Sequence, residues 1–302
     1  MSDATAHQRG PGVLVDESDL NGARSDPKQT WRRWLRNPNS LIGGVIVVLV
    51  VASALVSLVW TPYSPLAVDP AHALGGPSLR HLLGTDEYGR DVFSRLMASS
   101  QIALFVGALS VLIATVIGIP AGLLAAQRGG ATGQVVLRLA DILYGFPALL
   151  AAIVLAAAFG ASKSTVVLAI GISYIPVFIR VTRSNALVVL NSEYVLAARA
   201  YGRRPLAILR RHVVPNIATT IIAQMSLLFS LAVLAEAALD FLGLGTAAPA
   251  ASWGTMLQSS QDYLGNDPLL TVWPSLAIVV CVLGFSLLGD GIGELRDARS
   301  RR

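Results

Sequence analysis

The sequence has little charge for its length. Asp, Glu, Lys and Arg make up 14% of the 302 residues, whereas hydrophobic residues make up 54%, and the mean hydropathy is +0.62. A soluble domain of this length needs polar residues over most of its surface. The composition therefore excludes an ordinary soluble protein and predicts a membrane protein whose apolar runs cross lipid.

Cysteine and lysine are nearly absent. The one cysteine, Cys281, lies in an apolar run, which excludes an internal disulfide and predicts a packing role. The two lysines, Lys28 and Lys163, follow Pro and Ser, so neither belongs to a phosphate loop ending in Gly-Lys-Ser/Thr. No zinc-protease pattern, nucleophile elbow or His/Cys cluster is visible either. The chain is therefore predicted to be no enzyme, and to hold no metal or cofactor of its own.

Apolar runs near the length of a membrane-crossing helix recur along the chain. They predict an all-α polytopic membrane protein with about six transmembrane helices. The fourth run is short, but its helix can continue through Arg180 and Arg183, whose long side chains reach the interface. The runs are residues 41–60, 102–126, 135–159, 165–178, 217–235 and 269–288.

The basic residues lie between these runs, which is how membrane orientation is encoded and which argues against nucleic-acid binding. Arginines concentrate in alternate loops, so both termini are predicted to be cytosolic, in the cytoplasmic (inner) membrane. These features predict a division of the chain into three regions. Residues 1–36 form a polar tail and a basic collar, residues 37–100 hold the first helix and an extracytoplasmic loop, and residues 101–302 hold the core with five further helices.

The longest cytosolic loop, residues 191–216, is predicted to form two short helices. Alanines favour the first helix, Gly202 makes the corner, and Pro205 suits the first turn of the second helix. In the second helix Leu206, Leu209 and Val213 share one face, with arginines on the other. These residues alone fit two roles, a basic amphipathic helix on the membrane surface or a docking site for a partner.

The same loop contains Ala197-Ala198, then Gly202 after a gap of three residues, and Pro215 farther along. With these residues it resembles the EAA loop of permeases in binding-protein-dependent ABC importers. The resemblance implies a coupling helix that docks on a separate ATPase. Leu196 stands where that family usually has an acidic residue. The residues implied to couple this chain to an ATPase are Glu193, Leu196, Ala197, Ala198, Gly202, Arg203, Arg204, His212 and Pro215.

Three further segments are similar to the C-type permease subunit of dipeptide and oligopeptide importers. They are residues 83–96, residues 241–257 with Phe-Leu-Gly-Leu-Gly and Ser-Trp-Gly, and residues 287–299. The resemblance implies the type I ABC importer permease fold. It also implies a heterodimer with a homologous second permease, two ATPase subunits that carry ATP and Mg, and an extracytoplasmic substrate-binding protein. The residues expected to contact that binding protein are Asp86, Arg90, Asp91 and Trp253.

Peptides are the substrate that this resemblance favours, with nickel or another small solute as the alternative. A different class, a stand-alone secondary transporter, would need ionisable groups at mid-membrane depth. Glu236 and Asp240 are the candidates, but they are predicted to lie at the outer end of their helix, near water. Asp141 is predicted to pair with Arg138 or a neighbouring arginine. The sequence does not indicate which residues line a substrate pathway.

Overall fold

The computed structural model describes residues 37–300, with side chains as far as Glu294. The tail and collar predicted for residues 1–36 lie outside this part. The described part is helical, and its only strand-like feature is an isolated bridge between Thr85 and Asp91. Its helices are α1 (Pro38–Ser57), α2 (Val92–Arg128), α3 (Gly130–Tyr144), α4 (Ala148–Phe159), α5 (Lys163–Leu190), α6 (Glu193–Ala200), α7 (Pro205–Ile208), α8 (Val214–Phe241), α9 (Trp253–Ser260) and α10 (Leu269–Ser300).

Five helical stretches are long and apolar enough to cross a membrane by themselves: α1, α2, α5, residues 205–241 and α10. The pair α3 and α4 passes the same test together, which makes six spans and confirms the all-α polytopic fold. The third run, residues 135–159, is not one continuous helix, because α3 and α4 meet at 77°. Pro147 explains the break, since the residue before a proline is driven away from helical geometry.

Helix α2 begins at Val92, ten residues before the predicted span, and runs for 37 residues. The predicted extracytoplasmic loop therefore ends near residue 91, and a boundary at residue 100 cuts through a helix. Asp91 caps this helix by accepting a hydrogen bond from the Ser94 N–H at 2.8 Å. The apolar pattern missed the first turns because their polar side chains, such as Ser99, are buried by protein and not by lipid.

Helices α2 and α5 form the most extensive contact in the bundle, and α8 packs against both. Small residues allow the close approach. A Cβ atom on Gly118 would lie 2.5 Å from the Phe178 Cβ atom, and one on Gly122 would lie 2.7 Å from the Ile179 carbonyl oxygen. This Gly-x-x-x-Gly spacing puts both glycines on one face of α2. The first helix, α1, packs against α10 at the edge of the bundle.

Candidate functional site

Helix α6 contacts α5 and α7, and a buried side chain anchors it there. It follows Ser192 and carries Glu193 in its first turn, where a negative charge is favourable with the helix dipole. Val195 is fully buried, in the same apolar cluster as Ile208 and Val213. This packing fixes the position of α6 relative to the helix that follows it.

The chain turns at Gly202, as predicted. The φ angle of Gly202 is +73°, in the left-handed region that side chains disfavour. The Gly202 N–H donates to the Arg199 carbonyl at 2.9 Å, and the Arg203 N–H donates to the Ala198 carbonyl at 3.2 Å. These two hydrogen bonds are those of a Schellman C-cap. The turn ends α6 and leads to Pro205, in the first turn of α7.

The second predicted helix is not separate from the membrane span, and that part of the prediction is wrong. Helix α7, a π-helical turn at Leu209–Val213 and α8 form one continuous helix over residues 205–241. Pro215 gives the physical reason for the π turn, because it has no N–H and its ring would clash with the carbonyl four residues earlier. The Val214 N–H donates instead to the Leu209 carbonyl, five residues earlier. The loop is therefore continuous with a membrane-spanning helix.

The outer face of α6 and its turn is exposed, and large apolar side chains lie on it beside charged ones. Leu196 is 48% exposed and Tyr201 is 89% exposed, so the described part of the chain covers neither of them. Leu206, predicted to share a face with Leu209 and Val213, is 63% exposed, whereas those two are buried. Among the predicted coupling residues, Ala198 and His212 are half-buried and the others, Glu193, Leu196, Ala197, Gly202, Arg203, Arg204 and Pro215, are exposed.

Tyr194 makes a contact that the sequence did not indicate. Its ring lies beside the His212 ring, with the centroids 5.8 Å apart. The Asn216 side-chain amide donates to the Tyr194 hydroxyl at 3.2 Å and to the His212 carbonyl at 2.7 Å. Tyr194 therefore ties α6 to the π turn. No short motif signals a contact between residues 22 positions apart.

At the other end of α2, Asp86 organises the loop after α1. Its Oδ1 atom accepts hydrogen bonds from the N–H groups of Tyr88 and Arg90, both at 2.9 Å. Its Oδ2 atom lies 2.6 Å from the Arg90 Nε atom and 3.3 Å from the Arg95 Nε atom. Asp86 is 6% exposed and Arg95 is 5% exposed. One buried carboxylate is thus shared between two guanidinium groups.

Asp91 and Trp253 are also held inside the chain. Asp91 accepts a hydrogen bond from the Ser94 hydroxyl at 2.6 Å and lies 2.9 Å from the His81 ring. The Trp253 indole N–H donates to the Leu96 carbonyl at 3.1 Å. Both residues are 3% exposed. These side chains are engaged internally, so contact with a binding protein, which stays a prediction, would fall to the loop surface that they support.

Glu236 and Asp240 are buried, and the expectation that they lie near water is wrong. Each is 1% exposed, because the segment after α8 folds back over them. The Thr246 N–H donates to the Asp240 Oδ1 atom at 2.8 Å. Neither oxygen of Glu236 meets a hydrogen-bond donor among the described residues. No group of three or more His, Cys, Asp or Glu side chains in the described part is placed to hold a metal ion.

Asp141 pairs with an arginine from another helix. The Arg180 guanidinium donates to the Asp141 Oδ1 atom at 2.8 Å and lies 4.4 Å above the centre of the Tyr144 ring. The partner is thus Arg180 of α5, and not Arg138 of the same helix. The two contacts fasten the end of α3, next to the 77° break, to α5.

Two family models match the chain. The model described as the binding-protein-dependent transport system inner membrane component matches residues 118–302. The model described as the N-terminal TM domain of oligopeptide transport permease C matches residues 28–77. The first match contains α6, the turn at Gly202 and the continuous helix that follows.

Curated relatives align along nearly the whole chain. The glutathione transport system permease protein GsiD of Pectobacterium atrosepticum is 36% identical over 95% of this chain and 94% of its own length. The dipeptide transport system permease protein DppC of Alkalihalophilus pseudofirmus is 33% identical over 94% of this chain and 93% of its own length. The di/tripeptide transport system permease protein DppC of Pseudomonas aeruginosa is 36% identical over 92% of this chain and 97% of its own length.

The fold has a counterpart among solved structures. An inward-facing structure of the MetNI methionine ABC transporter matches with a TM-score of 0.57 at 17% identity, over 67% of this chain and 96% of the matched chain. At this identity the match establishes the shared fold, that of an ABC importer permease. Together with the family models and relatives, it shows that this multi-pass chain belongs to the family of inner membrane components of binding-protein-dependent transport systems.

Proposed function

We propose that this chain forms half of a translocation pathway for peptides delivered by an extracytoplasmic substrate-binding protein. The support is that relatives named for dipeptide, di/tripeptide and glutathione transport align over more than nine-tenths of the chain. Glutathione is itself a tripeptide, so the three names share one substrate class. The residues that select the peptide would lie between this subunit and its partner.

A homologous second permease would supply the other half of the pathway. The α3–α4 segment supports a further subunit, because its side chains expose more apolar surface than a closed bundle leaves open. Phe146 is 66% exposed, Val154 is 67% exposed and Phe159 is 79% exposed. Lipid and the second permease would share this surface.

ATP hydrolysis would take place on two partner ATPase subunits, with ATP and Mg bound there. The observation that carries this proposal is the exposed apolar face of α6 at the head of one continuous helix, residues 205–241. An ATPase that closes on α6 would move the helix over residues 205–241, which is long enough to cross the bilayer. Val195 and Tyr194 would hold α6 to that helix, so the motion would pass into α8.

Replacement of Gly202 tests the coupling. We expect Gly202→Pro to lower substrate-stimulated ATP hydrolysis by about tenfold or more in the assembled complex, because proline cannot adopt a positive φ angle or donate the bond to Arg199. The measurement is the ATPase rate with and without substrate-loaded binding protein. Gly160→Pro is the matched control, since Gly160 has a φ angle of +85° and its N–H donates to Ala156.

The two variants separate coupling from folding. Gly160 lies at the other end of the bundle from α6, so its replacement should leave stimulation by substrate closer to that of the unmodified complex. Co-purification of the ATPase subunits reports assembly separately from turnover. Full stimulation in the Gly202→Pro complex would overturn the assignment of α6 as the coupling helix.

A further inference from the structure

A basic cavity of about 640 Å³ lies beside α6, between the ends of α2 and α5 and the start of α7. Its lining has no acidic residue. The four arginines that line it form no ion pair with any described carboxylate. They are Arg128, Arg199, Arg203 and Arg204.

Helix electrostatics accounts for two of these charges and leaves the others unexplained. Arg128 and Arg199 lie in the last turns of α2 and α6, where a positive charge is favourable with the helix dipole. Arg204 is the N-cap of α7, at the N-terminal end of the continuous helix over residues 205–241. A positive charge there opposes the dipole. The placement of Arg204 lowers helix stability and is instead suited to an anionic ligand.

The rest of the cavity wall is apolar. Leu190, at the end of α5, and Ile208 are buried and form its inner side, whereas Leu206 is 63% exposed at its rim. Leu124, near the end of α2, is 36% exposed. A soluble anion would leave the exposed surface of Leu124 and Leu206 without an apolar partner. In a ligand with a phosphate group and an acyl chain, the phosphate would pair with the arginines and the chain would pack against the apolar side chains.

We propose that this cavity binds an anionic phospholipid of the cytosolic leaflet, with its phosphate among the four arginines and part of an acyl chain against the leucines. The proposal rests on the proposed function, because ATPase subunits that contact α6 would place this end of the bundle on the cytosolic side of the membrane. Guanidinium groups bind phosphate through paired hydrogen bonds, and anionic lipid enriches negative charge at this depth. The lipid would contact the segment after Gly202 through Arg203 and Arg204.

Lipid retention tests the proposal without nucleotide or substrate, so a failure of ATP coupling leaves the readout intact. The protein, purified with whatever subunits accompany it, is equilibrated in nanodiscs of phosphatidylcholine mixed with an equal amount of phosphatidylglycerol. Bound lipid is then counted by native mass spectrometry after release. We expect one phosphatidylglycerol to be retained in preference to phosphatidylcholine, and excess inorganic phosphate in the buffer to leave it in place.

Paired arginine variants locate the site. R203Q together with R204Q should lower phosphatidylglycerol retention about 25-fold, because each arginine beside an anionic lipid contributes on the order of a fivefold gain in binding. R210Q together with R211Q is the matched control, since it removes the same charge from exposed residues of the same segment that do not line the cavity. That variant should retain lipid like the unmodified protein.

A charge-conserving pair, R203K with R204K, guards against loss of fold. This variant should retain more lipid than R203Q/R204Q and less than the unmodified protein, because lysine keeps the charge but cannot form the paired hydrogen bonds to phosphate. Equal retention in all variants would overturn the proposal. So would displacement by inorganic phosphate, which would indicate a soluble anion. Loss of ATPase subunits from R203Q/R204Q with unchanged lipid retention would also overturn it, in favour of a protein contact.

Discussion

Among single residues, Asp86 has the most concentrated role in the described part of the chain. Its carboxylate accepts hydrogen bonds from two backbone N–H groups and lies beside two guanidinium groups, and among the described residues it is the only acid within 4.0 Å of the buried Arg95. An arginine this far from water is costly unless an acid partners it. The charged residues of segment 83–96 thus hold the loop after α1 against the start of α2.

We expect Asp86→Ala to destabilise the protein by on the order of 3–5 kcal/mol, because Arg95 would then be buried without a partner. The measurement is the midpoint of thermal unfolding in detergent at neutral pH. Asp69→Ala, in the same loop, is the control, since the Asp69–His72 pair is exposed.

The Asp69 carboxylate of the control pair is ionised under these conditions. A hydrogen bond from His72 lowers the pKa of Asp69, so its contribution is present above the ordinary aspartate pKa and is lost as the pH falls through the lowered value. Equal shifts for Asp86→Ala and Asp69→Ala would show that the Asp86 network does not stabilise the loop.

Among the elements, the crossing of α2 and α5 depends on the absence of side chains at two positions. We expect Gly122→Ala to destabilise the bundle by about 1–3 kcal/mol, because its Cβ would lie 2.7 Å from the Ile179 carbonyl oxygen, and a backbone atom cannot move aside as a side chain can. The midpoint of thermal unfolding measures the loss.

Gly293→Ala in α10 is the matched control. A Cβ atom on Gly293 meets nothing within 4 Å, so alanine should leave stability unchanged or raise it through better helix propensity. If Gly122→Ala behaved like Gly293→Ala, the close approach of α2 and α5 would not be needed for stability.

For the whole molecule, the orientation in the membrane can be tested with introduced cysteines, because the one native cysteine, Cys281, is fully buried and gives little background. Leu79 is 100% exposed in the loop between α1 and α2, and Tyr201 is 89% exposed beside Gly202. We expect a membrane-impermeant maleimide to label Leu79→Cys in intact cells and Tyr201→Cys only after permeabilisation. Labelling of both in detergent is the control, and the reverse pattern would contradict cytosolic termini.

Much of the candidate site follows from local residue properties. The helix ending at Gly202 and the helix start at Pro205 were predictable because left-handed turns and first helical turns have strong residue preferences. The contact between Tyr194 and Asn216 and the cavity with Arg128 were not, because each joins residues far apart in sequence.

The sequence by itself determined that this chain is an all-α membrane protein with about six spans and a basic loop that turns at Gly202. Run length, low charge and the spacing of glycine and proline are local properties of the sequence. A long apolar run in a bilayer forms a helix, because lipid offers its backbone groups no hydrogen-bond partners. Only the tertiary structure decided the 77° break of the third span, the continuity of residues 205–241 and the burial of Glu236 and Asp240. A polar residue beside an apolar run looks the same in sequence whether water or a folded-back segment covers it, and packing alone makes the difference.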